Sequence, residues 1–217
     1  MQSWRLDRRY KTNSIFDYGD LVSGHLYPML ALGDHLRLMR TCREIQFMGY
    51  TCSAWAKHVQ VPWSASEEQF KHLARFRHFQ SLNLQFAWEL GDKSTALLHN
   101  MPHLQRLEMM DVSDYSFLAA LSQLRYLDIS YSNYVHDSDL MVVGTLERLE
   151  CLVLDGCGSI TAACLRHLTG LHRLVVLGVA WCNQLGDAMW PYLTSMTQLK
   201  DLTLTDTAIT DAGAAYL

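Results

Sequence analysis

The sequence has little proline and glycine and contains no low-complexity tract. Only 4 prolines and 12 glycines occur among the 217 residues, of which 49% are hydrophobic and 18% are charged. Disordered chains are poor in apolar residues and rich in charge, so this composition argues against disorder. A chain of this length can bury a sizeable core, and we expect it to fold.

Long apolar runs are also missing. No stretch approaches the roughly 20 apolar residues that a helix needs to cross a bilayer. The first residues, MQSWRLDRRYKTNS, contain arginines but no apolar h-region, which argues against a secretory signal. We therefore expect an intracellular protein without a membrane span. We place it in the cytoplasm, and a mitochondrial presequence is the alternative.

The sequence lacks the usual signatures of metal sites and catalysis. Its six cysteines form no CxxC pair, and we expect reduced thiols. His99 and His103 are four residues apart, but Pro102 between them breaks the helix that would align them. Zinc needs three or four converging ligands, and no such set can be identified. No phosphate loop, GxSxG or HExxH motif occurs. We predict no metal, no cofactor and no enzymatic activity.

Positive charge is scarce outside the N-terminal region. Residues 1–60 carry 8 Lys and Arg against 5 Asp and Glu, which gives +3, and the remainder carries 10 against 17, which gives −7. Proteins that hold a phosphate backbone need clustered Lys and Arg. We therefore expect no nucleic-acid partner.

What the sequence does have is an internal repeat. The pattern LxxLxL recurs six times with its first residues 25, 20, 25, 25 and 25 apart, at Phe79, Leu104, Leu124, Leu149, Leu174 and Leu199. The pattern predicts a short strand, and apolar residues three and six positions upstream predict a helix. Such units bury their apolar faces only by stacking, so residues 61–217 are expected to form an α/β solenoid. Its parallel sheet would be concave and its helical side convex.

The last unit is incomplete, and we expect either further repeats or a partner to cover the edge of its strand. The unit between Leu104 and Leu124 is short, so its convex side is expected to be a turn rather than a full helix.

One column of the repeat identifies its type. Three positions after each strand pattern stand Ala87, Val112, Ser132, Cys157, Cys182 and Thr207. The sequences LECLVLDGCGSIT and LKDLTLTDTAITDAG resemble the cysteine-containing class of leucine-rich repeats. The resemblance implies that this column turns inward, where a small polar or thiol side chain satisfies the backbone of the bend.

The N-terminal segment, residues 1–60, is expected to be helical, with apolar residues three and four apart over residues 21–59. Residues 27–43 resemble the F-box, a family that commonly precedes repeats of this class. The resemblance implies a substrate-recruiting adaptor whose helices bind the linker protein of a cullin-type ubiquitin ligase while the repeats bind a target. The candidate contacts to the linker are Leu26, Leu30, Leu36 and Leu38. Two alternatives stay open: a helical cap on the solenoid, and a structural subunit of a large mitochondrial or cytoskeletal assembly.

The concave face carries the second candidate site. Side chains alternate along a strand, so the residues between the leucines should face away from the core. In the fourth and fifth repeats these residues are apolar, and aromatic residues occupy the next column. The predicted partner-binding residues are Tyr131, Cys151, Val153, Val176, Ala180, Trp181, Asp128 and Asp155. An exposed apolar patch with a polar rim is typical of protein-binding sites. The alternative is that another segment of the same protein covers it.

Overall fold

The computed structural model of the protein describes residues 51–53, 58–61, 65–74, 79–85, 87 and 90–214. They include one sheet of eight three-residue strands, which pair in chain order. The strands are β1 Thr51–Ser53, β2 His58–Gln60, β3 Ser81–Asn83, β4 Arg106–Glu108, β5 Tyr126–Asp128, β6 Cys151–Val153, β7 Val176–Gly178 and β8 Asp201–Thr203. β1 and β2 are antiparallel, and β2 to β8 are parallel.

The strand positions and register predicted from LxxLxL are confirmed. The central leucine of each repeat strand pairs with that of its neighbour, so that Leu127, Leu152 and Leu177 lie side by side. All three are fully buried, and they belong to one continuous core between the sheet and the convex side. In the last strand, Leu202 is only partly buried. A ladder of like apolar residues therefore joins the repeats along the solenoid.

The helical prediction for residues 21–59 is wrong at its C-terminal end. Residues 51–53 and 58–60 form β1 and β2, so the sheet begins before residue 61. β2 pairs with the edge of β3, and the N–H of Val61 continues the pairing by donating to the carbonyl oxygen of Asn83 at 2.9 Å. The unsatisfied backbone groups of a sheet edge favour strand pairing over a weak helical pattern. The rest of the predicted helical segment lies outside the described residues.

Among the residues that the structure describes, the convex side consists of short helices of three to seven residues. The α-helices span Glu67–Leu73, Asp92–Thr95, Asp139–Val143, Trp190–Leu193 and Asp211–Ala214. The 3-10 helices span Ala96–Asn100, Ser116–Ala120, Ala162–His167 and Asp187–Met189. Buried residues recur every third position, as at Leu165, Leu168 and Leu171. The N–H groups of Leu168 and Leu171 donate to the carbonyl oxygens three residues back. Residues three apart lie above one another in a 3-10 helix, so this spacing favours a 3-10 turn over an α-helix. The turn predicted for the short unit is confirmed at Ser116–Ala120.

The polar and thiol side chains of the inward column satisfy the backbone of the bend, as expected. The Cys157 thiol donates to the carbonyl oxygen of Ile129 at 3.3 Å, and the Cys182 thiol donates to that of Leu154 at 3.2 Å. Ser132 accepts from the N–H of Asp111 at 3.0 Å, and Thr207 donates to the carbonyl oxygen of Leu204 at 2.9 Å. Three of these bonds (those of Cys157, Cys182 and Ser132) join neighbouring repeats. Ala87 and Val112 occupy the same buried column with apolar side chains.

We expect the buried thiols to be unreactive in the folded protein. Burial raises the pKa of Cys157 and Cys164 to about 12 and that of Cys182 to about 11. At pH 8 only roughly 1 in 1,000 to 1 in 10,000 of these groups is then a thiolate, the form that reacts. With Cys42 and Cys52 replaced by serine, a chromogenic disulfide reagent should label only the half-exposed Cys151. In denaturant, the reagent should label all four of the remaining thiols. Fast labelling of two or more thiols in buffer would contradict the burial.

Candidate functional site

The strands present a partly apolar surface on the concave side. Leu152 and Leu177 point into the core, whereas their neighbours Cys151, Val153 and Val176 are partly exposed on the opposite side of the sheet. Cys151 pairs with Val176 in register, and Val153 pairs with Gly178. The absence of a side chain at Gly178 matters, because a Cβ there would lie 3.0 Å from Val153 and 2.9 Å from the carboxylate of Asp155. The side chains of Val153 and Asp155 therefore occupy the space next to Gly178, and the surface is continuous from β6 to β7.

Ala180 does not belong to this surface. It is only 2% exposed, so the prediction that its side chain faces solvent is wrong. Its N–H donates to the Asp155 carboxylate at 2.8 Å. Ser130, the equivalent residue two repeats earlier, is also buried. In the same column Gln85, Met110 and Asp155 are partly exposed and Thr205 is exposed, so the column as a whole does not turn inward. Only its two smallest side chains are buried, and the Asp155 carboxylate lies against the backbone of Ala180.

Two aromatic residues form the rim. Tyr131 is 54% exposed and Trp181 is 45% exposed, and their rings stack with centroids 6.1 Å apart and planes inclined by 27°. They belong to repeats that are not adjacent, and Gly156 stands between them in the same column. A Cβ on Gly156 would lie 2.6 Å from the Tyr131 ring, so glycine provides the space in which the rings meet. The aromatic–Gly–aromatic order at 25-residue spacing is the sequence signal for this stack, which the sequence analysis missed.

Hydrogen bonds hold the polar rim in place. The indole Nε1 of Trp181 donates to Asp206 at 2.8 Å. Asp128 accepts from the N–H and hydroxyl of Ser130 at 3.0 and 2.6 Å, and from the amide of Gln85 at 3.1 Å. Burial raises the pKa of Asp155, and the nearby charge of Asp128 adds to the rise, while the bond from Ala180 opposes it. Hydrogen bonds therefore hold the carboxylates of Asp128 and Asp155 in place on the concave face.

The face as a whole is acidic, and sequence reasoning named only part of this charge. Carboxylates stand on it in most repeats, at Glu108, Asp111, Asp128, Asp155, Asp201 and Asp206. Arg106 is the only Lys or Arg among the described residues of the same strand columns. Its guanidinium contacts Glu108 at 2.6 Å and lies 3.4 Å from the centroid of the Tyr126 ring, so its charge is largely compensated. The further carboxylates could have been found by reading the outward columns of LxxLxL for charge.

The comparisons with known proteins concern the fold. No protein-family model matches the chain, and no curated protein matches it either. An internalin (inlF) from Listeria monocytogenes is similar in structure over 82% of this chain, with 20% identity and a TM-score of 0.51. The fold is a leucine-rich-repeat solenoid.

Two further solved leucine-rich-repeat structures match with TM-scores of 0.49. They are internalin C2 (inlC2) from the same species, at 25% identity over 62% of this chain, and TLR13 in a complex with ssRNA13, at 20% over 70%. The chain spans 55% of the length of inlC2, 61% of inlF and 22% of TLR13.

The other predicted site of this leucine-rich-repeat chain is the set of linker-protein contacts, and the sequence also predicted no metal site and no membrane span. Leu26, Leu30, Leu36 and Leu38, the predicted linker-protein contacts, lie outside the described residues. Within the described part of the chain, no group of three or more His, Cys, Asp or Glu is placed to hold a metal ion. The same residues contain no helix that is long and apolar enough to cross a bilayer.

Proposed function

We propose that this leucine-rich-repeat chain is a protein-binding module whose concave face holds a partner. The supporting observation is the apolar surface formed by Cys151, Val153 and Val176, together with the stacked Tyr131 and Trp181. Exposed apolar patches with an aromatic and charged rim mark protein interfaces. The strands hold these side chains in register, so the surface is preorganised and loses little entropy on binding.

We further propose that the chain is a substrate-recruiting adaptor of the F-box type, in which residues 1–60 bind the linker protein of a cullin-type ubiquitin ligase. This rests on the resemblance of residues 27–43 to the F-box and on the order of F-box and repeats in the sequence. Leu26, Leu30, Leu36 and Leu38 are the proposed contacts. The alternative role is a structural subunit of a large assembly, which would use the same concave face permanently.

Mixing the purified ligase linker protein with the intact chain tests the adaptor role. We expect association at micromolar concentration, and Leu36→Ala should weaken it by about 1–3 kcal/mol, because truncating a central interface leucine leaves a buried gap. Met141→Ala, at an exposed apolar residue of the convex helix Asp139–Val143, is the matched control and should bind normally. If the linker protein does not associate with the intact chain, the adaptor role is wrong and the structural-subunit role replaces it.

We expect Val176→Asp to abolish partner binding at the concave face while leaving the protein folded. The change places a desolvated charge at the centre of the proposed interface, where truncation or mismatch costs most. Met141 is 56% exposed on the opposite side, so Met141→Asp adds the same charge away from the face. Quantitative affinity purification from cells should show proteins captured by the wild type and by Met141→Asp that Val176→Asp loses. Identical capture by all three chains would show that the concave face holds no partner, including the case in which another segment covers it.

A further inference from the structure

The stacked aromatic pair is not required by the turn in which it lies. Tyr131 and Trp181 occupy the same column as Asp111, Gly156 and Asp206, and all five residues have positive φ, between 52° and 72°. Glycine and aspartate adopt this left-handed conformation at less steric cost than bulky residues do. Neither ring belongs to the buried core. The repeat fold can therefore be built without these two rings, and their contribution lies at the surface.

The surroundings of the pair favour a cation. Asp206 accepts from the Trp181 indole at 2.8 Å, so a carboxylate is held at the edge of the stack. The adjoining concave face bears Asp128, Asp155 and Asp201, and its described strand columns contain no Lys or Arg besides Arg106. Carboxylates of one sign in neighbouring repeats attract a positively charged partner and repel a phosphate backbone.

The chain already displays an arginine bound in this manner. On the same face, the guanidinium carbon of Arg106 lies 3.4 Å from the Tyr126 ring centroid, and its Nε donates to Glu108 at 2.6 Å. The flat guanidinium can stack on an aromatic ring and donate to a carboxylate at once, which a lysine ammonium does less well. The combination of Tyr131, Trp181 and Asp206 offers the same two elements, a ring surface and a carboxylate, but with the rings half-exposed.

We propose that the Tyr131–Trp181 pair binds an arginine side chain of a basic segment in the partner, with Asp206 as the acceptor carboxylate. The other carboxylates of the concave face draw the basic segment towards the sheet. This inference rests on the proposed function and adds to it the chemistry of the partner. A single-stranded nucleic acid could also stack its bases on such rings, but the acidic face opposes its phosphates.

The test uses a fluorescent arginine–glycine repeat peptide and the full 217-residue chain, with binding followed by fluorescence anisotropy. A peptide with citrulline in place of arginine has nearly the same shape without the charge. We expect binding of the arginine peptide, binding at least about tenfold weaker for the citrulline peptide, and a loss of affinity with added salt. A lysine–glycine peptide should bind with intermediate affinity.

Variants distinguish binding at the Tyr131–Trp181 pair from a general attraction of the peptide to the acidic face. Trp181→Asn and Tyr131→Asn should each weaken binding about tenfold or more, and asparagine tolerates the left-handed backbone. Asp206→Asn keeps an acceptor for the indole but removes the charge, and it should weaken binding by roughly threefold. Tyr134 is 56% exposed, and Tyr134→Asn is the matched control that should bind normally. Thermal unfolding of each variant confirms that it is folded.

Several outcomes would overturn the inference. These are no binding of the arginine peptide at millimolar concentration, equal binding of the citrulline peptide, or unchanged affinity in both Trp181→Asn and Tyr131→Asn. If the chain binds single-stranded RNA tightly but not the peptide, and both variants lose the RNA binding, then the ligand of the pair is a nucleic acid rather than a basic peptide. The proposed function fails separately: it is overturned if Val176→Asp captures partners normally, whatever the peptide result. Conversely, if Val176→Asp loses partners that Trp181→Asn and Tyr131→Asn still capture, the proposed function stands and the arginine site is refuted.

Discussion

Leu177→Asp is expected to unfold the repeat array, whereas Val176→Asp, one residue earlier in β7, is expected to leave it folded. Leu177 is fully buried and pairs with Leu152 and Leu202 in the neighbouring strands. Removing its side chain costs about 2–5 kcal/mol, and a buried, unpaired carboxylate adds several more. Domains of this size have a free energy of unfolding of about 5–15 kcal/mol, so the sum is comparable to the whole. Val176 is partly exposed on the concave face, where a carboxylate can reach solvent.

Urea denaturation followed by circular dichroism distinguishes the two variants. We expect no cooperative transition for Leu177→Asp, and for Val176→Asp a free energy of unfolding within about 1 kcal/mol of the wild type. A loss in Val176→Asp as large as that in Leu177→Asp would mean that the strand register is displaced by one residue, because such a shift exchanges the two faces of a strand.

Gly144→Ala is expected to destabilise the protein by about 1–3 kcal/mol, although alanine favours helices. Gly144 ends the helix Asp139–Val143 with φ −60° and ψ −15°, a conformation open to any residue. A Cβ there would lie 2.3 Å from the carbonyl oxygen of His167 in the next repeat, a backbone atom that cannot rotate away. The convex layers of the two repeats must separate, and the cost of overpacking exceeds the gain in helix propensity, about 1 kcal/mol.

Gly170→Ala provides the matched control, because a Cβ at Gly170 meets nothing within 4 Å. Its free energy of unfolding should be unchanged or rise by about 0.4–1 kcal/mol, since alanine restricts the unfolded chain. Chemical denaturation of both variants measures the difference. Equal stability of the two would show that the repeats are packed less closely at Gly144 than the structure has them.

Periodicity in the sequence predicted the part of the fold that depends on local alternation. The 25-residue recurrence of LxxLxL located the strands from β3 to β8, and alternation along them separated Val176 from Leu177. Periodicity failed where the pattern was weak or was compatible with two kinds of secondary structure. Residues spaced by three, such as Leu165 and Leu168, fit both an α-helix and a 3-10 turn, and β1 and β2 depend on an edge that only the folded sheet provides. Ala180 was misplaced because the burial of a small side chain depends on its neighbours, which alternation does not report.

The sequence by itself therefore determined the repeat and the position of each repeat strand, because both depend on a residue and its near neighbours. The inward column with Cys157 and Cys182 was expected only from the resemblance to leucine-rich repeats, and its bonds to Ile129 and Leu154 join neighbouring repeats. The tertiary structure alone decided which side chains of the concave face contact one another. The stack of Tyr131 and Trp181 joins residues 50 positions apart, and it forms because stacking brings their turns together across Gly156. Likewise, only the packed repeats place Asp206 against the indole and Arg106 against the ring of Tyr126. Such contacts depend on the displacement from one repeat to the next, which local sequence patterns do not encode.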